Sequence, residues 1–369
     1  MNARSAPGSQ SSLREANRAR VLEVVSRHGP LTQVEIAKTS GLSPATVSNL
    51  VRELDHAGLV ELSPSVRNGR RAVLVAPASG GGLLAGFVFG PDDVHLAIAD
   101  DSRKLRAQQR TPLSPDDGLT CVVRRFADLA ESIDADLGKL TAIAVGRPSS
   151  ITPNWRGEHL AATLTDHLRA PVALDTTANL AALGELRTGA LQGVHNGCYL
   201  KLADGVSTGL ILNGELFRGS AGTAGEIGHV TIDANGPICP CGNRGCLNTY
   251  VGSHALISSL TASHGPLSLT DIVDRALQDD FGCRRVIEDA GRRVGIAVAG
   301  LVNLLNPEVI AVGGVLATAG ELVLLPLREA LDHSAIPSAA AAVELRLATA
   351  GAEAELRGAV QLAAHLFNS

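Results

Sequence analysis

The sequence predicts an α/β protein in two parts, a small helical module with a hairpin wing followed by a larger two-lobed α/β body. Three observations predict it. At 369 residues with 45% hydrophobic content, the chain is too long for one ordinary domain and rich enough for two or three cores. Its charge is divided: residues 1–77 carry ten Lys/Arg against six Asp/Glu, and the remainder 22 against 31. A basic front joined to an acidic body points to a polyanion met only by the front. Behind residue 82, strand-like apolar runs alternate with helical ones, the pattern of layered α/β folds.

Residues 1–12 are polar, lack the apolar core of a signal peptide and are expected to be disordered. No run reaches the roughly 18 apolar residues that a membrane span needs. The expected setting is cytoplasmic, with no membrane partner, and structural disulfides are disfavoured there.

Residues 13–77 form the front module. A first helix is expected from Arg14 to His28, contributing Ala19, Leu22 and Val25 to a core. In "LTQVEIAKTSGLSPATVSNLVRELDHAGLV", Thr32 and Glu35 make a capping box that starts a second helix ending near Ser40. Gly41 supplies a turn, and Ser43 followed by Pro44 starts a third helix. Val47, Leu50, Val51 and Leu54 fall on one side of it, leaving Thr46, Ser48, Asn49 and Arg52 on the other faces. This is a helix-turn-helix whose small polar residues and Arg suit base edges and phosphates in a major groove. Next, "LVELSPS" and "RAVLVAP" flank the loop "VRNGR", a wing carrying Arg67, Arg70 and Arg71, and Arg suits a narrow minor groove. The expected partner is double-stranded operator DNA. A protein-interaction domain with merely solvated arginines is the competing reading.

After the linker "ASGGG" at 78–82, the body spans 83–369. "GLLAGFVFG" and "VHLAIAD" read as paired strands, "LTCVVRRFADLAESI" as a helix, and "TAIAVG" and "PVALD" as buried strands. Asn213-Gly214 marks a hairpin turn. "RRVGIAVAGLVNLL" reads as a buried helix leading into the strand "EVIAVGG".

One stretch gathers half of the six cysteines beside a histidine: "GEIGHVTIDANGPICPCGNRGCLNTY". Disulfide, redox couple and metal site are the candidates. The compartment and the short Cys-x-Cys spacing disfavour a disulfide. His229, Cys239, Cys241 and Cys246 suit tetrahedral zinc, and four protein ligands mean a structural rather than a catalytic ion. Gly242 and Gly245 let the loop 229–246 curl back. Cys121, Cys198 and Cys283 lie apart and read as packing residues.

The order of winged module, "LNGELFRGSAGTAGEIGH", "CPCGNRGCL" and "NPEVIAVGG" resembles the ROK family, and the front domain resembles its repressor branch. The resemblance implies a winged helix-turn-helix on a two-lobed, actin-like, ribonuclease-H-type body, and it assigns the same four residues to zinc. It places Glu226 and His229 against sugar hydroxyls. Asn248 stands where a Glu normally touches the same sugar. The kinase catalytic segment N-D-A-N is matched by Thr176, Thr177, Ala178 and Asn179, and Thr cannot serve as a general base near neutral pH. Asp175 could take that part only if two residues were inserted. The two phosphate loops also depart, with Val88, Pro91, Asp92 and Asp93 in the first and Asp204 and Ser207 in the second. The segment between "VGRPSS" and "APVALD" is short for the family.

The expectation is a regulator, a repressor of carbohydrate uptake or catabolism genes rather than an enzyme. It would act as a homodimer or homotetramer with a sugar or sugar-phosphate effector near Asn179, Glu226, His229 and Asn248. The rivals are an active ATP-dependent sugar kinase and a ligand-independent DNA-binding protein using the body as a dimerisation scaffold.

Overall fold

The computed structural model describes residues 14, 17, 18, 20–22, 24, 25, 29–57, 59–67, 70–77, 81–114, 117–147 and 157–368. Residues 1–12, much of the linker and Ala19 lie outside the described residues.

In the front module the described residues between 14 and 25 are helical and fully bury Val21 and Val25. Leu22 is only partly buried. Helix α1 (Gln33–Ser40) starts on the expected capping box: Glu35 N–H donates to the Thr32 hydroxyl at 3.3 Å, and Thr32 N–H donates to the Glu35 carboxylate at 2.8 Å. Gly41, at φ 69°, ends it. Helix α2 (Pro44–His56) starts on Ser43, whose hydroxyl accepts from Thr46 N–H at 3.2 Å. Val47, Leu50, Val51 and Leu54 are buried against Ile36 and Val21. Each is worth roughly 1.5–3 kcal/mol on burial.

Strands β1 (Leu31–Thr32), β2 (Val60–Arg67) and β3 (Arg70–Pro77) form a sheet in the order β1-β3-β2. Here the structure corrects the expected five-residue wing loop. Arg67 pairs with Arg70, so only Asn68 and Gly69 stand between the strands. Asn-Gly is the dipeptide that favours two-residue hairpin connections, which lets both strands run on.

The first lobe is built on a sheet of order β6-β5-β4-β7-β8. Its strands are β4 (Leu83–Phe89), β5 (Asp93–Asp100), β6 (Leu105–Pro112), β7 (Leu140–Arg147) and β8 (Val172–Thr176). The β4-β5-β6 meander is antiparallel, while β7 and β8 run parallel to β4. All seven residues of β4 are buried because the strand has two covered faces. Phe87 and its period-two neighbours meet α3 (Leu119–Glu131) and α4 (Gly157–Leu168), with Phe87 and Phe126 rings 4.8 Å apart. Leu84 and Val88 face the other way. The edge strand β6 was not foreseen, since "LRAQQRTP" is polar and largely exposed.

The second lobe repeats the plan. Strands β9 (Gly197–Leu202), β10 (Val206–Leu212) and β11 (Glu215–Phe217) form an antiparallel meander, with β12 (Val309–Gly313) and β13 (Glu344–Leu347) parallel to β9. Asn213 and Gly214 both take positive φ, 54° and 77°, at the expected hairpin turn. One face is covered by α7 (Ser253–His264), α8 (Leu269–Leu277), α9 (Phe281–Leu305) and α10 (Glu321–Ser334), with α6 (Asn248–Val251) nearby and α11 (Pro337–Ala342) at the end. The long α9 contains the expected buried stretch but begins earlier, on an Asp280 cap.

Helices α5 (Thr177–Thr188) and α12 (Ala354–Asn368) pack together between the two sheets. A Cβ at Gly184 would lie 2.0 Å from the Ala354 carbonyl oxygen, and one at Gly358 1.7 Å from that of Leu180. The glycines thus set how closely the lobe-joining helices approach, and the cleft opens beside them.

Candidate metal centre, cleft and nucleic-acid interface

On α2, Asn49 and Arg52 are exposed, whereas Thr46 and Ser48 are half-buried. The Thr46 hydroxyl shares a 2.8 Å hydrogen bond with that of Ser43, so it lies at the helix start where a groove would be entered. The backbones of Arg67, Arg70 and Arg71 sit at the end of the wing. Their side chains lie outside what is described. The arrangement presents one polar helix face and one basic hairpin, the two elements a winged module uses for two grooves.

The loop after β11 brings His229, Cys239, Cys241 and Cys246 together, their ligand atoms all within 4.8 Å of one another. His229 Nδ1 is 3.6 Å from Cys239 Sγ, and Cys241 Sγ is 3.7 Å from Cys246 Sγ. A tetrahedral ion with bonds of about 2.3 Å to sulfur and about 2.0 Å to nitrogen spaces its ligand atoms by about 3.5–3.8 Å. The four residues therefore fit a closed metal centre. Two short bridges, Thr231↔Cys246 and Ile238↔Arg244, fold the loop on itself. Gly245 makes this possible: at φ 63°, any Cβ would fall 1.6 Å from the Asp233 carbonyl oxygen. The remaining cysteines are separate from this loop. Cys198 and Cys283 are both buried in the core of the second lobe, as expected, and Cys283 also lies beside His264 and Asp280 at the start of α9.

His229, whose Nδ1 is turned to Cys239, also lines a cleft between the lobes. That cleft holds a cavity of about 1140 Å³, to which His229 and Asn248 both contribute. Asn248 also has a structural duty, its side-chain oxygen accepting from Val206 N–H at 2.7 Å. Asn179 and Glu226 do not line the cavity. Asn179 is buried, donates to Asp175 at 2.6 Å, and keeps its own side-chain oxygen without a partner among the described residues. Such an orphaned acceptor calls for a donor from water or a ligand. Glu226 is half-buried and burial pushes its carboxyl up from the usual range, against the pull of His229 and Arg147.

Asp175, nearly buried, accepts from Arg218 at 2.8 Å as well as from Asn179. Thr176 caps α5 by accepting from Asn179 N–H at 3.2 Å. The next residue, Thr177, accepts from Lys201 Nζ at 2.8 Å, and Lys201 also donates to Glu355 at 2.6 Å. Lys201 and Arg218 were missed in the sequence. The available signal was a Lys inside the apolar strand "YLKL", where a charge is retained only with partners.

The ROK family profile matches residues 84–365, and that of the MarR family matches residues 15–71. The xylose repressor of Bacillus spizizenii is 28% identical over 364 residues, covering 95% of each chain. Among solved structures, a ROK family transcriptional regulator described as a homolog of the Escherichia coli MLC protein aligns with a TM-score of 0.80 at 25% identity. That alignment covers 96% of this chain and 97% of the other. A ROK family glucokinase from Streptomyces griseus, solved with glucose and AMPPNP, aligns over 77% of this chain and 100% of its own, at 26% identity and a TM-score of 0.64. The kinase accounts for the body, while the regulators account for body and front module together. The chain belongs to the ROK family.

Proposed function

We propose that the chain is a sugar-responsive transcriptional repressor: α2 and the wing read operator DNA, and the interlobe cleft holds the effector. The observation that carries this reading is the end-to-end match to repressors, front module included, on a helix that leaves Asn49 and Arg52 free to reach DNA. Thr46 and Ser48 would line the entering end of α2, with Arg67, Arg70 and Arg71 at the minor groove. A symmetric operator read by a homodimer would place half-sites about 34–36 Å apart or at a multiple.

The same reading makes the metal zinc and its part structural. His229, Cys239, Cys241 and Cys246 complete its coordination, and zinc so bound supplies folding energy rather than an activated water. The fixed loop holds His229 and Glu226 beside the cleft, where with Asn179 and Asn248 they would meet sugar hydroxyls. We read the body as non-catalytic. Thr177, at the kinase base position, is engaged by Lys201 and has no basic group to offer a hydroxyl. Asp175, the one nearby carboxylate, is committed to Arg218 and Asn179.

Gel-shift titration against the chain's own upstream regions and neighbouring promoters tests the reading. Arg52→Ala should weaken binding by about 1–3 kcal/mol, roughly 5- to 150-fold, without unfolding the body. Full-strength binding by that variant and by Asn49→Ala removes the assignment of α2. Steady phosphate transfer from ATP to a sugar by the purified chain overturns the non-catalytic reading.

A further inference from the structure

The cleft is larger than one sugar ring requires. Its cavity of about 1140 Å³ exceeds the roughly 300–1,000 Å³ of ordinary small-molecule sites. It is lined by His229, Asn248 and Asp204 and by an aliphatic wall that includes Val312, Val315, Leu347 and Ala348. Pro237, Ile238 and Pro240 of the metal-binding loop form a lip on the same cavity, with Ile238 69% exposed to water.

Charge decides what enters. Among the described lining residues the permanent cations are Arg110, paired with Asp93 at 2.6 Å, and Lys201, paired with Glu355 at 2.6 Å. Asp204 is left as an additional carboxylate. Burial pushes it up from the usual range, Lys201 opposes this, and Asp92 and Asp93 push it further up. A polyphosphate or sugar phosphate entering this space would meet carboxylates with no unpaired Lys or Arg among the described lining residues. A neutral ligand meets hydroxyl acceptors in Asp204 and Asp93, and aliphatic surfaces on the lip and that wall. Pyranose rings offer that mixture, with hydroxyls at the edge and C–H groups on the faces.

We infer that the effector is an uncharged glycoside of at least two sugar rings, the first ring at His229 and Asn248 and the second in the outer cavity between Asp204 and Val315. This rests on the proposed effector role of the cleft and adds the ligand's charge and length. The second ring covers the exposed Ile238 lip and displaces water from the aliphatic wall, which a monosaccharide leaves wet. In the outer cavity the same carboxylates disfavour a phosphate group.

Calorimetric titration of the full chain tests this with cellobiose, xylobiose, maltose and N,N′-diacetylchitobiose, each against its monosaccharide, the monosaccharide 6-phosphate or 5-phosphate, and ATP. At least one disaccharide should bind tighter than its monosaccharide by about tenfold or more, and phosphorylated forms should bind worse than both. Val315→Trp fills the outer cavity and should abolish the disaccharide advantage while leaving monosaccharide affinity unchanged. Thr318→Trp, at a more exposed position on the same wall, serves if the first variant does not fold. Tighter binding of a monosaccharide, a sugar phosphate or ATP than of any disaccharide overturns the inference, as does no disaccharide binding at all. Operator binding measured on the same preparation separates that failure from failure of the repressor reading.

Discussion

Glu185 shows how much one side chain can hold in this fold. It is fully buried and accepts three backbone N–H bonds: from Ala190 at 2.6 Å, Thr349 at 3.2 Å and Ala350 at 2.8 Å. It thereby ties the end of α5 to the segment that leads into α12, the two helices between the lobes. Glu185→Ala leaves the buried Ala190 donor and two partly buried ones unpaired and should cost about 2–3 kcal/mol. Glu185→Gln should cost less, since one oxygen survives but an amide donor now faces donors. Urea denaturation checks both, and a loss under about 1 kcal/mol for the Ala variant removes this role. At the metal loop, Cys241→Ser should lower zinc from one ion per chain and reduce the melting temperature, because a hydroxyl is a much poorer ligand than a thiolate. Unchanged metal stoichiometry by mass spectrometry would refute the four-ligand site. The clustering of His229 with three cysteines was legible because these residue types recur at short spacing in one loop. The roles of Glu185, Lys201 and Arg218 were not legible, since Lys201 and Glu185 have partners 154 to 165 residues away and Arg218 one 43 residues away, and nothing local marks those pairings.

Elements were readable where their ends carry chemistry. Thr32 with Glu35, Ser43 with Pro44, and Asn213 with Gly214 each act within four residues, and each sits where the sequence placed it. Two ends that carry the same kinds of signal were nevertheless not read, the Asn-Gly pair between Arg67 and Arg70 and the Asp280 cap that starts α9. At α9, Asp280 caps the helix by accepting from Cys283 N–H at 2.9 Å, and His264 Nε2 lies 3.1 Å from its carboxylate. The Cys283 N–H first, and His264 with it, hold the Asp280 carboxyl at about 2, below its ordinary 3.8. A carboxyl lowered on folding adds stability above its unfolded value and loses it as pH falls through its folded value. Asp280→Asn keeps a capping oxygen and removes the titration. Wild type should therefore exceed this variant in stability near pH 5, a margin that closes between about pH 4 and pH 2. Thermal melts across that range check it, and a pH-independent margin means the charge contributes nothing.

At the scale of the molecule, two lobes of the same strand order enclose a cleft, and the front module hangs from the first strand of one lobe. Alternating strands and helices in the sequence announced an α/β body with room for two lobes. The size of the cavity and the pairing of its cations arise only when both lobes and the metal loop are assembled, so no local pattern could show them. If the cleft governs DNA binding, the ligand must prefer one arrangement of the paired DNA-binding modules, and the effect is limited by that difference in affinity. Linkage then makes the coupling equal in both directions. A ligand that weakens operator binding tenfold, about 1.4 kcal/mol, must itself bind tenfold more weakly to the operator-bound protein. Titrating the same sugar into free protein and into protein saturated with operator measures the second factor, while gel shifts with and without sugar measure the first. Equal factors mean that the cleft and the groove-reading helix share one conformational equilibrium. A sugar that releases DNA yet binds free and operator-bound protein equally would show that release arises elsewhere, for instance through contamination or a change in ionic conditions, and would sever the cleft from repression.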